Sequence, residues 1–315
     1  MLAFLLKRLL YAAGTIVLTA FFAYGLMRFL RPDLFGGEPA LAGTWHDVTR
    51  ALLHLDFGES CMFAGCPPLR RMWHDGAFAD LYLLAGGLLV GLTSGVVGGV
   101  WCAARPRSWS SRALESAAML FLCTPAYVVG FFLLLAFAPD WGWIHMPYLF
   151  DVSSYQPPGD SLWDFTRTML VPWLVVGAPL GASVLRLTLT ITLDTMGEPY
   201  VDTARAKGLP HALVVRRHAG PASMLTVASL FGASAPLMVT NMVLVEFVFA
   251  VPGFFRHLKR ALGQAPGWPP VLDVPTLQAI ALWSSVLIVA LSLLADVAIG
   301  RLDPRIRTSG GPPPG

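Results

Sequence analysis

The sequence predicts an all-α polytopic membrane protein with six transmembrane helices and both termini on the cytoplasmic side. Three observations carry that prediction. The chain is 55% hydrophobic and only 13% charged, with a mean hydropathy of +0.62, whereas soluble domains carry about 25% charged residues. Six long apolar runs are free of charge, and a crossing helix needs about 20 such residues. Lysine and arginine are also unevenly spread. Thirteen lie in the 72 positions of segments 1–8, 105–115, 186–218 and 296–315, against nine in the 110 positions of 28–80, 139–167 and 246–273. The denser set marks the cytoplasmic face. The net charge of +3 is too small to argue for nucleic acid.

The first run, Leu9–Met27, lies between Arg8 and Arg28. It is longer than a secretory leader core and lacks a small-residue cleavage site, so it is expected to stay as a span. The segment 28–80 is the largest extracytoplasmic piece. Its stretch Ala51–Ser60 reads, from its residues, as an amphipathic helix lying on the bilayer. Cys61 and Cys66 sit in this segment beside Gly65, Pro67 and Pro68. No His or Cys completes a zinc pattern with them, so no metal is expected. A disulfide between the two fits an extracytoplasmic position.

The second run, Leu81–Ala104, repeats glycine every fourth residue at Gly87, Gly91, Gly95 and Gly99. That spacing lines one helix face with small residues and permits close packing in lipid. The third, Ser116–Ala138, contains Pro125, which removes a helical hydrogen bond and favours a bend. The aromatics Trp141 and Trp143 then fit an interfacial belt. The fourth run, Thr168–Leu185, is short and carries Pro172 and Pro179. The fifth, Ala219–Val245, holds Gly232, Ala233, Ser234, Ala235 and Pro236, and a second bend is expected at Pro236. The sixth is Val274–Ala295. A Gly/Pro tail at the end of 301–315 reads as disordered.

One polar, basic stretch stands between apolar runs four and five. Pro199 can start a helix, and Gly208 can end it in a left-handed conformation. Pro210 suits the start of a second helix. Thr203, Ala204, Ala206 and Gly208 are small enough to let another protein's backbone approach.

The run Tyr200, Val201, Asp202, Thr203, Ala204, Arg205, Ala206, Lys207, Gly208, with Pro221 at the expected spacing, resembles the Glu-Ala-Ala loop of ABC-importer permeases. It is most similar to the dipeptide/oligopeptide/nickel branch. His218 and Gly220 depart from that pattern. Three further pieces look like the same family: Cys123–Gly130 around Pro125, Val245–Phe255 with Glu246, Pro252 and Gly253, and Leu302–Arg307.

The resemblance implies a type I ABC-importer permease fold. Residues 1–80 would form a first helix plus an extracytoplasmic segment, and 81–300 a five-helix core with an ATPase-docking loop at 186–218. It implies two ATPase subunits (or one fused), a second homologous permease, an extracytoplasmic solute-binding protein, and a bacterial or archaeal inner membrane. Glu246, Pro252 and Gly253 would form an outer gate or binding-protein contact. The solute would be a peptide or similar small molecule.

Gly-Lys occurs nowhere in the chain, so there is no P-loop. No cofactor is expected here, ATP and Mg being held by the partner subunits, and no catalytic residue is expected. The competing readings are a secondary transporter, which calls for coupling-ion carboxylates at midplane, and a non-transporting membrane scaffold.

Overall fold

The computed structural model describes residues 2–30, 40–60, 66–137, 155–263 and 272–302. Among these, helices account for all named elements, and the only extended pairing is an isolated bridge between Glu59 and Pro68. The chain divides into two compact units. One comprises Tyr82–Val251 with the residues from Leu294 on, and the other Leu2–Leu81 with Pro252–Leu293.

The second of these units begins with α1 (Leu2–Leu30), which presents Leu9, Leu10, Leu18, Phe22 and Phe29 outward. A helix this apolar and this exposed is suited to lipid. Helix α2 (Ala40–His54) packs against it, with Thr44 beside Gly25, and buries Val48 and Ala51. The buried Arg28 guanidinium donates to Asp47 at 2.8 Å and ties the two together. Leu55 takes a left-handed conformation and closes α2. The turn that follows is held by an Arg50–Asp56 ion pair and by the Gly58 N–H on Asp56 Oδ1 at 3.1 Å. Bonding to Arg50 and Gly58 pulls the Asp56 carboxyl below its ordinary range. The unit also holds the first turns of α3 (Leu69–Ala104), the short α10 (Leu258–Ala261) and most of α11 (Val274–Leu302).

The larger unit is built around α6 (Leu162–Thr195), the most buried of the long helices. Ser161 caps its start by accepting from the Asp164 N–H at 3.3 Å. At about 1.5 Å per residue this helix is about 50 Å long, so its charged ends extend past the apolar core seen in the sequence. It continues through Pro172 and Pro179. The glycine face of α3 packs on it. A Cβ at Gly91, Gly95 or Gly99 would come within 2.7 Å of the carbonyl oxygens of Gly177, Gly181 and Leu185 respectively. The two backbones therefore approach as closely as the four-residue glycine repeat allows.

The third apolar run is not one straight helix. It forms α4 (Trp109–Cys123) and α5 (Ala126–Phe137), bent 112° apart. Thr124, directly before Pro125, is extended at φ −105°, ψ 131°. Proline disfavours the helical region for the residue preceding it, and that accounts for a break rather than a kink. At Pro236 the outcome differs: α9 (Met224–Phe249) stays helical through it. Among the described residues, five helical stretches are long and apolar enough to cross a membrane, or six crossings if α4 and α5 count as one. Several limits move outward from the charge-free runs, most clearly α3 and α6. The basic segment 105–115 is largely the start of α4, capped by Ser108 on the Ser111 N–H.

Candidate functional site

The 198–222 stretch lies in the larger unit. Pro199 opens α7 (Pro199–Ala206) at its first position, as its missing N–H allows. Gly208 ends the turn at φ +76°, a conformation that costs a Cβ-bearing residue. Pro210 caps α8 (His211–Val214). Then the backbone leaves α geometry, with a π-helical Val215–Ala219 and a 3₁₀ Gly220–Ser223 leading into α9. Pro221 has no N–H for the Arg217 carbonyl, which breaks the regular ladder there.

Helix α7 has two distinct sides. Val201 and Ala204 are buried in a cluster with Ala103, Met196, Val214, Val215 and Ala219. Tyr200, Asp202, Thr203, Arg205, Ala206, Lys207 and Gly208 are exposed. The small size of Ala204 serves this chain's own packing. The exposed Asp202–Arg205 pair at 3.3 Å contributes little to stability. A Cβ on Gly208 would meet nothing within 4 Å, so only its backbone conformation demands glycine.

In the other unit, Asp80 of α3 is fully buried. Its Oδ1 accepts the Phe254 backbone N–H at 3.0 Å and its Oδ2 the Trp283 indole N–H at 2.7 Å. A Cβ on Gly76, one turn earlier, would lie 2.5 Å from the Phe254 nitrogen, so Gly253 and Phe254 lie directly on α3. Trp73 stacks edge-on against both Phe57 and Trp283. A second buried carboxylate, Asp273, accepts from Ser60 and, at 2.7 Å, from Thr276 Oγ1. Behind Gly253 a 3₁₀ turn, Phe254–His257, buries both phenylalanines. Burial and the nearby Arg256 and Arg260 push the His257 imidazole down to about 4.

Residues 95–308 match the family model described as binding-protein-dependent transport system inner membrane component. The chain belongs to this family. It is the membrane-spanning permease component of an ABC importer, which removes the secondary-transporter and scaffold readings. An oligopeptide transport system permease protein of Mycobacterium tuberculosis is 31% identical over 236 residues, covering 73% of this chain and 70% of the relative. A putative peptide transport system permease protein of Brucella abortus is 25% identical, covering 98% and 99%. A dipeptide transport system permease protein of Haemophilus influenzae is 25% identical, covering 98% and 100%.

In this permease the remaining sequence-derived positions fall as follows. Glu246 lies inside α9, which runs on to Phe249, and is only 1% exposed, not at a solvated helix end. Left-handed Ala250 ends that helix at φ +51°. Pro252 and Gly253 lead the segment that rests on Asp80 and Gly76. Cys66 is disulfide-bonded, while Cys61 lies outside the described residues, as do Trp141, Trp143 and the 303–315 tail. No group of three or more His, Cys, Asp or Glu side chains suited to a metal occurs among the described residues. Sequence reasoning treated Asp80 as a mere span boundary and passed over Trp283. An acid set beside an apolar run, with a tryptophan inside a distant one, is the only signal they leave.

Proposed function

We propose that this permease forms half of the path by which an ATP-driven importer carries peptides or similar small solutes into the cell. The observation that supports it most is α7: a helix anchored on its own chain through Val201 and Ala204, with Asp202, Thr203 and Ala206 left exposed on the other side. This is the construction expected of a lever that a separate ATPase subunit grips. In this reading two ATPase subunits (or one fused) bind ATP with Mg and hydrolyse it, and their closure moves α7 and with it the ends of α3 and α6. ATP drives the change because it binds one conformation of the assembly better than the other. A second homologous permease completes the path.

The lysine and arginine distribution supports cytoplasmic termini and a cytoplasmic 186–218 segment. Residues 28–80 and 246–273 are then extracytoplasmic, where a solute-binding protein delivers cargo. Glu246, Pro252 and Gly253 belong to the outer gate or to the binding-protein contact, and Cys61 pairs with Cys66. The printed names of the relatives, oligopeptide and dipeptide transport, favour a peptide cargo. Proteoliposomes holding the full assembly, with binding protein outside and ATP inside, test the reading: peptide should accumulate only when both are present. Accumulation without ATPase subunits would overturn it.

A further inference from the structure

A cavity of ≈ 640 Å³ opens between the end of α3 and the α8–α9 junction. Small-molecule sites fall in about this size range. Along α3 its wall is apolar through Val96, Val97 and Val100, then reaches Trp101 and Arg105. The opposite wall carries Pro221 and Met224, with Arg216 on the π-helical turn. Val97 is 67% exposed, so the cavity is open along the helix flank. Among the described residues, no acidic side chain lines it. The Arg105 guanidinium stands over the Trp101 ring, 5.7 Å from its centroid, and neither Arg105 nor Arg216 has a carboxylate within salt-bridge distance among the described residues.

We propose that this cavity binds one anionic phospholipid, its acyl chain along Val96–Val100 and its phosphate between Arg105 and Arg216. Two observations commit it to that occupant. The lining changes from apolar to cationic over about 12 Å of α3, the polarity gradient of a phospholipid and not of a soluble anion. The change also falls where the charge-free run ends at Arg105, at the depth of lipid headgroups. Guanidinium groups suit a phosphate because they hydrogen-bond it in a bidentate fork. Basic pockets between spans on the cytoplasmic side attract anionic lipids electrostatically, and the proposal rests on the reading that this end of the spans is cytoplasmic. The site would couple the lipid composition of the inner leaflet to the segment joining α7 to α9.

The test uses the whole assembly extracted in mild detergent, with phosphatidylglycerol and phosphatidylethanolamine retained by it counted by mass spectrometry against the bulk membrane. Enrichment of phosphatidylglycerol is expected, falling by up to roughly thirtyfold in the double variant Arg105→Gln, Arg216→Gln. Arg107→Gln with Arg217→Gln, on the same segments but outside the cavity lining, should keep it. A diazirine-tailed phosphatidylglycerol offered to the unaltered assembly should label 96–105 and 212–224. This arm needs no variant to fold. No enrichment, equal loss in both double variants, or labelling elsewhere would overturn the proposal. Loss of the ATPase subunits from the Arg105, Arg216 variant with phosphatidylglycerol unchanged would also overturn it, showing a protein partner in the cavity. Failure of the ATPase subunits to accompany the unaltered chain would instead count against the docking reading and leave the lipid count to be read on its own.

Discussion

Replacing Asp80 by alanine should cost at least about 2–6 kcal/mol, a figure that follows from two of its bonds. The substitution strands the Phe254 N–H and the Trp283 indole N–H, both now held at 3.0 and 2.7 Å by a fully buried carboxylate. A buried donor left without an acceptor costs about 1–3 kcal/mol, and two such donors double it. Against a total stability of about 5–15 kcal/mol, that is a large share. Asp80→Asn keeps the shape but offers one acceptor and one donor, so one of the two N–H groups meets another donor. Its cost should be about half that of alanine. Trp283→Phe removes one of the two donors, so Asp80→Asn should be much less damaging in that background, with a coupling of about 1–3 kcal/mol. The assay is thermal unfolding of the detergent-solubilised protein for the two single variants, the Trp283 variant and the double. If Asp80→Ala melts with the unaltered protein, or if the cycle shows no coupling, the buried carboxylate does not hold the 252–254 segment and the reasoning fails.

Three further outcomes are expected. Gly208→Ala should destabilise by about 1 kcal/mol through its φ of +76° alone, and Gly208→Asn by less, because asparagine tolerates the left-handed region and no atom blocks the space; matched melting curves decide it. Ala250→Gly should stabilise by about 0.5–1 kcal/mol by relieving φ +51° at the end of α9, and a lower melting temperature would contradict this. His257 is held neutral down to about 4, while an unfolded histidine protonates near 6.5. The unfolded chain therefore binds the extra proton between those values, and stability falls as pH drops through that window and is unaffected above it. Hydrogen exchange across 254–261, corrected for intrinsic rate, should rise at pH 5 in the unaltered protein and not in His257→Gln.

Much of the architecture was legible because lipid imposes a simple rule: a charge-free run of sufficient length is a span. The same rule hid the extents of α3 and α6, since it stops at the first charge, while a helix continues into the headgroup region and carries Arg70, Arg71, Asp164 and Asp194 with it. Pro199 and Gly208 were readable because each has one strong local preference. Pro125 and Pro236 look alike in sequence, yet only Pro125 ends a helix. The own-chain packing of Ala204 was not legible, because a small residue suits a partner's approach and self-packing equally and its neighbours Ala103 and Val214 are distant in sequence or lie past a turn. Asp80 was missed because its partners lie 174 and 203 residues away, beyond any local pattern.

The most direct test of the account is the exposed side of α7. Ala206 faces solvent in this chain, so Ala206→Trp should leave expression, membrane insertion and melting temperature unchanged. Ala204→Asp, by contrast, places a charge in the buried cluster and should lower stability. Affinity purification of the permease, with the copurifying ATPase subunits counted beside peptide uptake in the same cells, reads both effects. The account predicts a folded Ala206→Trp permease that has lost its ATPase subunits and its uptake. A folded Ala206→Trp permease that keeps both would contradict it.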